Sequence, residues 1–196
     1  MDLLPIRRAL LSVTDKSGLI GFAEFLHRGG VELVSTGGTR KTLQDAGLPV
    51  VSVSRVTGFP EILDGRVKTL HPHIHAGILA DKDNPEHRRT LAKHQLAAFD
   101  LVCVNLYNFA DALSAGLSLG DMVERIDIGG PTLLRAAAKN FSSVLVVPGP
   151  GCYPRAQREL ADKDFHAGLP LRKDMAASVF KLTSEYDAMI AAYLAR

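Results

Sequence analysis

Ala9-Leu10-Leu11-Ser12-Val13, then Leu19-Ile20-Gly21-Phe22-Ala23-Glu24-Phe25-Leu26, then Val31-Glu32-Leu33-Val34-Ser35 is the stretch that decides the fold class. Its outer pieces are short apolar runs of strand length. The middle piece carries apolar residues at helical spacing (Leu19, Ile20, Phe22, Ala23, Leu26) and is stopped by Gly29-Gly30. The alternation continues outward. A second helix is expected over Arg40 to Ala46, ended by Gly47, and a third strand over Val50 to Val53. Glu86 to Leu96 reads as helix, Leu101 to Leu106 as strand, Asp111 to Arg125 as helix with a glycine interruption, and Val144 to Val147 as the last clear strand. Strands apolar on both faces, alternating with helices, predict an α/β fold with a parallel sheet covered on each side, as a single-domain sandwich over residues 1–196. Beyond the last strand, Arg172 to Arg196 carries Val179, Leu182, Tyr186, Met189, Ile190 and Tyr193 at helical spacing, a stripe read as core packing.

Composition narrows the function classes. A chain of 196 residues suffices for one domain with a full core. Hydrophobic residues at 46% and charged residues at 22% are ordinary for a soluble globular protein. A formal net charge of +2 is too small for general nucleic-acid binding, so any attraction for an anion must be local. Cys103 and Cys152 make no disulfide framework, and Cys103 lies in an apolar run as a buried thiol would, which points to a reducing compartment. No secretory signal pattern is visible, and no apolar run approaches the roughly 18 residues that span a bilayer. The expectation is a cytoplasmic protein with neither a membrane nor a nucleic acid as partner.

In a parallel α/β sheet, ligands bind beyond the carboxyl ends of the strands. Four polar segments fall there. Ser12-Val13-Thr14-Asp15-Lys16-Ser17-Gly18 follows the first strand, and Ser35-Thr36-Gly37-Gly38-Thr39-Arg40 leads from the second into a helix. Gly-Gly flanked by hydroxyls at a helix start can cradle a phosphate with free N–H groups and the helix dipole, although Thr39 can equally be a simple cap. Asn105-Leu106-Tyr107 follows a strand, where its amide and phenol can read a planar polar ligand or act as caps. Ile126-Asp127-Ile128-Gly129-Gly130-Pro131-Thr132 precedes a helix, with Pro131 expected at its first position and the Gly129 and Gly130 amides open. An Asp beside a bare Gly-Gly helix start offers a base and an oxyanion site together, or an inert capping carboxylate. Lys139 lies roughly 12 Å down that helix, so spacing alone does not place it beside Asp127.

A fifth segment, Gly65-Arg66-Val67-Lys68-Thr69-Leu70-His71-Pro72-His73-Ile74-His75, gathers two cations, a hydroxyl and three imidazoles. Arg66 can fork onto a phosphate or carboxylate while Lys68 supplies a point charge. On a strand, His71, His73 and His75 would share one face, but Pro72 interrupts and no carboxylate or thiol stands at ligand spacing, so no metal is assigned. His27, His87, His94 and His166 are read as lying on polar helical faces.

Taken together, these motifs resemble the inosine monophosphate (IMP) cyclohydrolase domain family of the bifunctional purine biosynthesis protein. The matching stretches are Leu11 to Gly18, Ser35 to Thr39, Val56 to Glu61, Asp64 to Pro72, Asn105 to Tyr107 and Ile126 to Asn140. The resemblance runs from about residue 7 onward and implies a methylglyoxal-synthase-like fold. The family protein continues into a second domain that formylates the precursor, whereas this chain stops where the cyclohydrolase domain would end. Asn108 stands where the family commonly has Pro.

The resemblance implies closure of the purine six-membered ring. In 5-formamidoimidazole-4-carboxamide ribonucleotide (FAICAR) the carboxamide nitrogen attacks the formyl carbon, and water leaves to give IMP, with no metal, nucleotide or redox cofactor required. It also implies residue roles. Thr14, Lys16, Thr36, Gly37, Gly38 and Thr39 would hold phosphate and ribose, with Ser12 nearby, while Arg66, Lys68 and Thr69 line the reacting end. Lys68 would stabilise the oxyanion with amides around Ile128 and Gly129, Asp127 would accept the carboxamide proton, Lys139 would move a proton in water loss, and Tyr107, beside Asn105, would position the carboxamide. A homodimer is the implied assembly; the chain is either a standalone cyclohydrolase, with a separate AICAR formyltransferase as a further partner, or a fragment of the bifunctional protein. Methylglyoxal synthases and the effector-binding module of carbamoyl phosphate synthetase share this architecture. Neither needs Lys68, Tyr107, Asp127 and Lys139 together.

Overall fold

The structure is a computed structural model that describes residues 1–195. In chain order its elements begin β1 (Leu3–Pro5), β2 (Arg8–Ser12), α1 (Leu19–Arg28), β3 (Glu32–Ser35), α2 (Gly37–Asp45), β4 (Val50–Ser52) and α3 (Val53–Thr57). They continue with α4 (Pro72–Leu79), α5 (Pro85–Lys93), β5 (Leu101–Val104), α6 (Phe109–Ser114), α7 (Leu119–Val123) and α8 (Gly129–Lys139). The last are β6 (Leu145–Val147), α9 (Tyr153–Asp162), β7 (His166–Gly168) and α10 (Leu169–Leu194).

Among the described residues, the main sheet has five parallel strands in the order β4-β3-β2-β5-β6. β2 lies in the middle because both of its faces are apolar: Ala9, Leu10 and Leu11 are fully buried. Leu10 pairs with Val34 on one side and Val102 on the other. α1 and α2 pack on each other, and α9 packs on α1. On the opposite face α8 packs against α4 and α10. The expected α/β sandwich with a parallel sheet covered on both sides is therefore the observed fold. The chain leaves β2 toward β3 and returns to its other side as β5, so strand order reverses between β2 and β5, and the crevice at their carboxyl ends is the natural ligand position.

Several boundaries differ from the sequence expectation for local reasons. β4 stops at Ser52, whose hydroxyl accepts the Arg55 N–H and turns the chain into α3. The helix expected over 111–125 breaks into α6 and α7, since Gly116 takes a φ of 63° and Ser118 opens a new helix by accepting the Asp121 N–H. α2 begins at Gly37 and not at Arg40. α8 begins at Gly129, which puts Pro131 third in the helix, where its missing N–H is still harmless. Pro72 starts α4, with His71 as its N-cap, so His73 and His75 are helical and the shared strand face does not form. His166 lies in β7, not on a helix.

β1 and β7 form a separate antiparallel pair, Leu3 opposite Gly168. Arg172, fully buried on α10, secures it by donating to the carbonyls of Met1, Asp2, Phe141 and Ser142. The stripe on α10 packs as core: Val179 joins the main cluster, and Tyr186, Met189, Ile190 and Tyr193 meet Phe109, Ala112 and Met122 in a second one. Arg196 lies outside the described residues. Cys103 is buried in β5 opposite Leu11 of β2, and its thiol meets the Tyr153 hydroxyl at 3.6 Å, while burial pushes its pKa up to about 12. No described helix is long and apolar enough to cross a membrane.

Gly77 shows how closely α4 approaches the segment that leads into β5. A Cβ there would sit 2.7 Å from the Ala97 carbonyl oxygen and 3.0 Å from the Phe99 ring, and backbone cannot move aside as a side-chain tip can. Gly77→Ala should therefore destabilise the fold by about 1–3 kcal/mol, the usual range for overpacking. A lower urea midpoint at unchanged slope would register it.

Candidate active site

At the switch between β2 and β5 a cavity of about 960 Å³ opens, lined by residues from all five polar segments. β2 and β3 deliver Ser12, Thr14, Lys16, Thr36, Gly38 and Thr39 to one wall, because parallel strands end at the same level of the sheet. The loop before α4 brings Arg66, Lys68 and Thr69 over the top, and Asn105, Tyr107, Asp127, Ile128 and Gly129 close the far wall. Leu63, Asp64 and Gly65 take successive positive φ values of 54°, 54° and 84°, a turn that swings Arg66 and Lys68 back toward the sheet.

Many of these groups are already engaged within the chain. The Asn105 side-chain oxygen accepts the Thr14 N–H at 2.7 Å, the Thr14 hydroxyl at 2.8 Å and the Asp15 N–H at 3.2 Å, while its amide nitrogen donates to the Asp15 carbonyl at 2.8 Å. Asn105 thus braces the β2–α1 loop through its oxygen and one amide hydrogen, and the second amide hydrogen is left for the cavity it lines. The Thr39 hydroxyl both donates to the Val13 carbonyl and accepts its N–H, and the Ser12 and Thr36 hydroxyls bond each other at 2.9 Å. Asn105→Ala would leave buried donors and acceptors of this loop unpaired. A loss of about 1–3 kcal/mol is the expected result, seen as a lower urea midpoint, together with weaker nucleotide binding because the Thr14 loop loosens.

Carboxylates shape the site more than the sequence reading anticipated. Glu61 accepts the Gly37 N–H at 3.3 Å, so Gly37 faces that side chain and does not line the cavity. Arg66 forms an ion pair with Glu124, bridging the mouth from the α4 loop to the end of α7. Asp64 also lines the cavity. Glu61 and Asp64 stood inside conspicuous motifs, but nothing in sequence shows a carboxylate turned toward the glycine-rich loop. Lys68 makes no hydrogen bond to another described residue, and its charge reaches Asp127.

Asp127 is half-buried, and its carboxylate accepts the Gly130 N–H at 2.9 Å. From one position before the N-cap residue Ile128 it thus satisfies a free N–H at the start of α8 as well as lining the cavity, and the Gly130 amide is not open as expected. Burial raises its pKa above the usual carboxylate range, which the Gly130 N–H and the Lys68 charge lower without cancelling. A Cβ on Gly130 would run into this carboxylate, so glycine is required for the contact. Gly129 has the Thr69 hydroxyl 3.1 Å from the position of a Cβ, which brings the basic loop directly onto the start of α8. Lys139 is not brought here. It lies exposed in the last turn of α8, roughly 15 Å down the helix axis, away from the cavity. Among the described residues, no group of three or more His, Cys, Asp or Glu is arranged to hold a metal ion.

The profile of the MGS-like domain matches residues 18–132. The chain belongs to the MGS-like domain family. Residues 137–196 of this MGS-like chain match a second family profile, described as the AICARFT/IMPCHase bienzyme. Similar proteins include the bifunctional purine biosynthesis protein PurH of Rhodospirillum rubrum, 51% identical over 95% of this chain, and that of Lacticaseibacillus casei, 54% identical over 96%. The MGS-like chain spans about a third of the length of the curated relatives it matches, 36% and 37% for these two. Among solved structures, the crystal structure of ForH superposes with a TM-score of 0.85 at 32% identity, covering 94% of this chain and 95% of that one. The resemblance drawn from the motifs is thus a homology to the IMP cyclohydrolase region of PurH, along nearly the whole chain.

Proposed function

We propose that this MGS-like domain is an IMP cyclohydrolase, closing FAICAR to IMP with loss of water. The observation that carries the reading is the meeting of Lys68 and Asp127 at one cavity, above hydroxyl-rich loops at the ends of β2 and β3. Ring closure is intramolecular, so the protein's first task is to hold the carboxamide against the formyl group. Lys16, Gly38 and the loop braced by Asn105 support the ribose phosphate, and Tyr107 flanks the base.

The carboxamide nitrogen then forms a bond to the formyl carbon and gives up one proton, for which Asp127 is the acceptor. Its raised pKa makes it a better base than an ordinary aspartate. The formyl oxygen becomes an oxyanion that Lys68 and the amides around Ile128 and Gly129 stabilise, and it takes a proton to become a hydroxyl. That hydroxyl leaves as water with a second proton, while the former formamido nitrogen loses its own proton and the ring double bond forms. A role for Lys139 draws no support from its place in the fold. A homodimer belongs to the same proposal, as does a formyltransferase activity, on this polypeptide or another, as the source of substrate.

The test is an ultraviolet assay of the purified chain with FAICAR, following IMP without added metal. Turnover supports the reading. Tight IMP binding without turnover would replace it with an effector-binding module, and turnover of a three-carbon phosphate with a methylglyoxal synthase.

A further inference from the structure

The C-terminal helix reaches the site through Tyr186. Tyr186 on α10 is 3% exposed. Its hydroxyl accepts the backbone N–H of Asp127 at 2.8 Å and donates to the carbonyl of Arg125 at 3.2 Å. The same ring meets Phe109 edge-on, with centroids 6.2 Å apart, and Phe109 opens the helix that follows Tyr107 and Asn108. Asp127 and Tyr107 therefore both approach the cavity on segments seated against Tyr186. Neither segment is a strand of the sheet, and Arg125 to Ile128 has no helical ladder of its own. A buried hydroxyl that satisfies a donor and an acceptor two residues apart fixes the path of the chain between them.

We propose that Tyr186 is a positioning residue, holding the Arg125–Asp127 backbone so that the Asp127 carboxylate stays at the start of α8 facing Lys68. The proposal rests on the cyclohydrolase reading for its effect on rate, and on the hydrogen bonds alone for its effect on the backbone. It also assigns a task to α10, which lies beyond the span matched by the MGS-like profile.

The experiment compares the full chain with Tyr186→Phe and with Phe109→Leu, which softens the same aromatic cluster without touching the two hydrogen bonds. Tyr186→Phe should lower kcat about 10–100-fold, as a small misplacement of a catalytic group does. KM should stay within about twofold, since the phosphate loops are remote from α10. Phe109→Leu should keep most of its kcat. Amide exchange at Asp127, followed by NMR, should quicken in Tyr186→Phe while protection in β2 and β5 is unchanged. Wild-type kcat in Tyr186→Phe overturns the proposal, as does a loss of activity in both variants that simply tracks a fall in Tm. If the wild-type chain itself does not turn over, the cyclohydrolase reading fails, and the Asp127 exchange rate alone decides whether Tyr186 holds this backbone.

Discussion

Asp127→Asn should reduce kcat by about 10²–10⁴-fold, the range that a positioned general base supplies, while IMP affinity changes far less. Asparagine keeps the shape and can still cap α8 through the Gly130 N–H, so the lost property is the ability to take a proton. The pH dependence carries the same signature. Because burial raises the Asp127 pKa, the acid limb of kcat/KM should lie above the ordinary aspartate range, with activity falling as pH drops through it. In the asparagine variant that limb should vanish from the residual rate. Stability should move the other way. A carboxyl whose folded pKa exceeds its unfolded value contributes stability at low pH and loses it as pH rises through the folded pKa. At neutral pH the charged Asp127 is therefore a burden to the fold, and the variant's urea midpoint should equal or exceed that of the wild type. A kcat loss matched by an equal loss of IMP affinity would instead make Asp127 a binding residue.

Lys68→Ala should lower kcat by about 10²–10³-fold, comparable to removing one donor from an oxyanion site. Its ammonium makes no hydrogen bond to another described residue, so removing it breaks no structural contact of that kind and the thermal transition should barely move. Lys68→Arg is a sharper probe. A planar fork does not replace a compact point charge, and Glu124, which already pairs with Arg66 across the mouth, offers a new guanidinium a competing carboxylate. The arginine variant should recover only a small part of the rate. Full recovery would mean that Lys68 acts on substrate charge from a distance and not on the reacting oxygen.

The sheet was legible because its strands obey the simplest rule, apolar runs between helices of regular spacing. Ala9 to Val13, Val31 to Ser35 and Leu101 to Leu106 lie within a residue or two of β2, β3 and β5. β1 and β7 escaped because neither reads as a strand alone. Pro5 and His166 face each other there, and only the fold brings them together. The cavity walls were legible in the same way, since polar segments after parallel strands must share one end of the sheet.

What each polar group does there was not legible. An asparagine that reads a ligand and one that braces a loop about 90 positions away carry the same letter, and the bracing bonds of Asn105 show only in the fold. Lys139 is instructive in another way. Helical rise placed it far from Asp127, the family resemblance gave it a proton-moving role in water loss, and in this chain it lies exposed in the last turn of α8, outside the cavity lining.

The clasp that joins β1 to β7 and the start of α10 bears on the order of folding. Arg172 grips the carbonyls of Met1 and Asp2 across 171 and 170 positions, and β1 finds its partner only in β7. Closing so long a loop is the slowest kind of contact to make. At synthesis rates of about 5–20 residues per second, β2 and β3 emerge many seconds before the residues that complete the clasp. The sheet can therefore assemble while the ends are still open. Since Tyr186 rides on the helix that carries Arg172, the backbone around Asp127 gains its hydrogen bonds to that hydroxyl only once α10 docks. A refolding sample should regain its secondary-structure signal before its turnover, and the lag between the two would time the docking of α10.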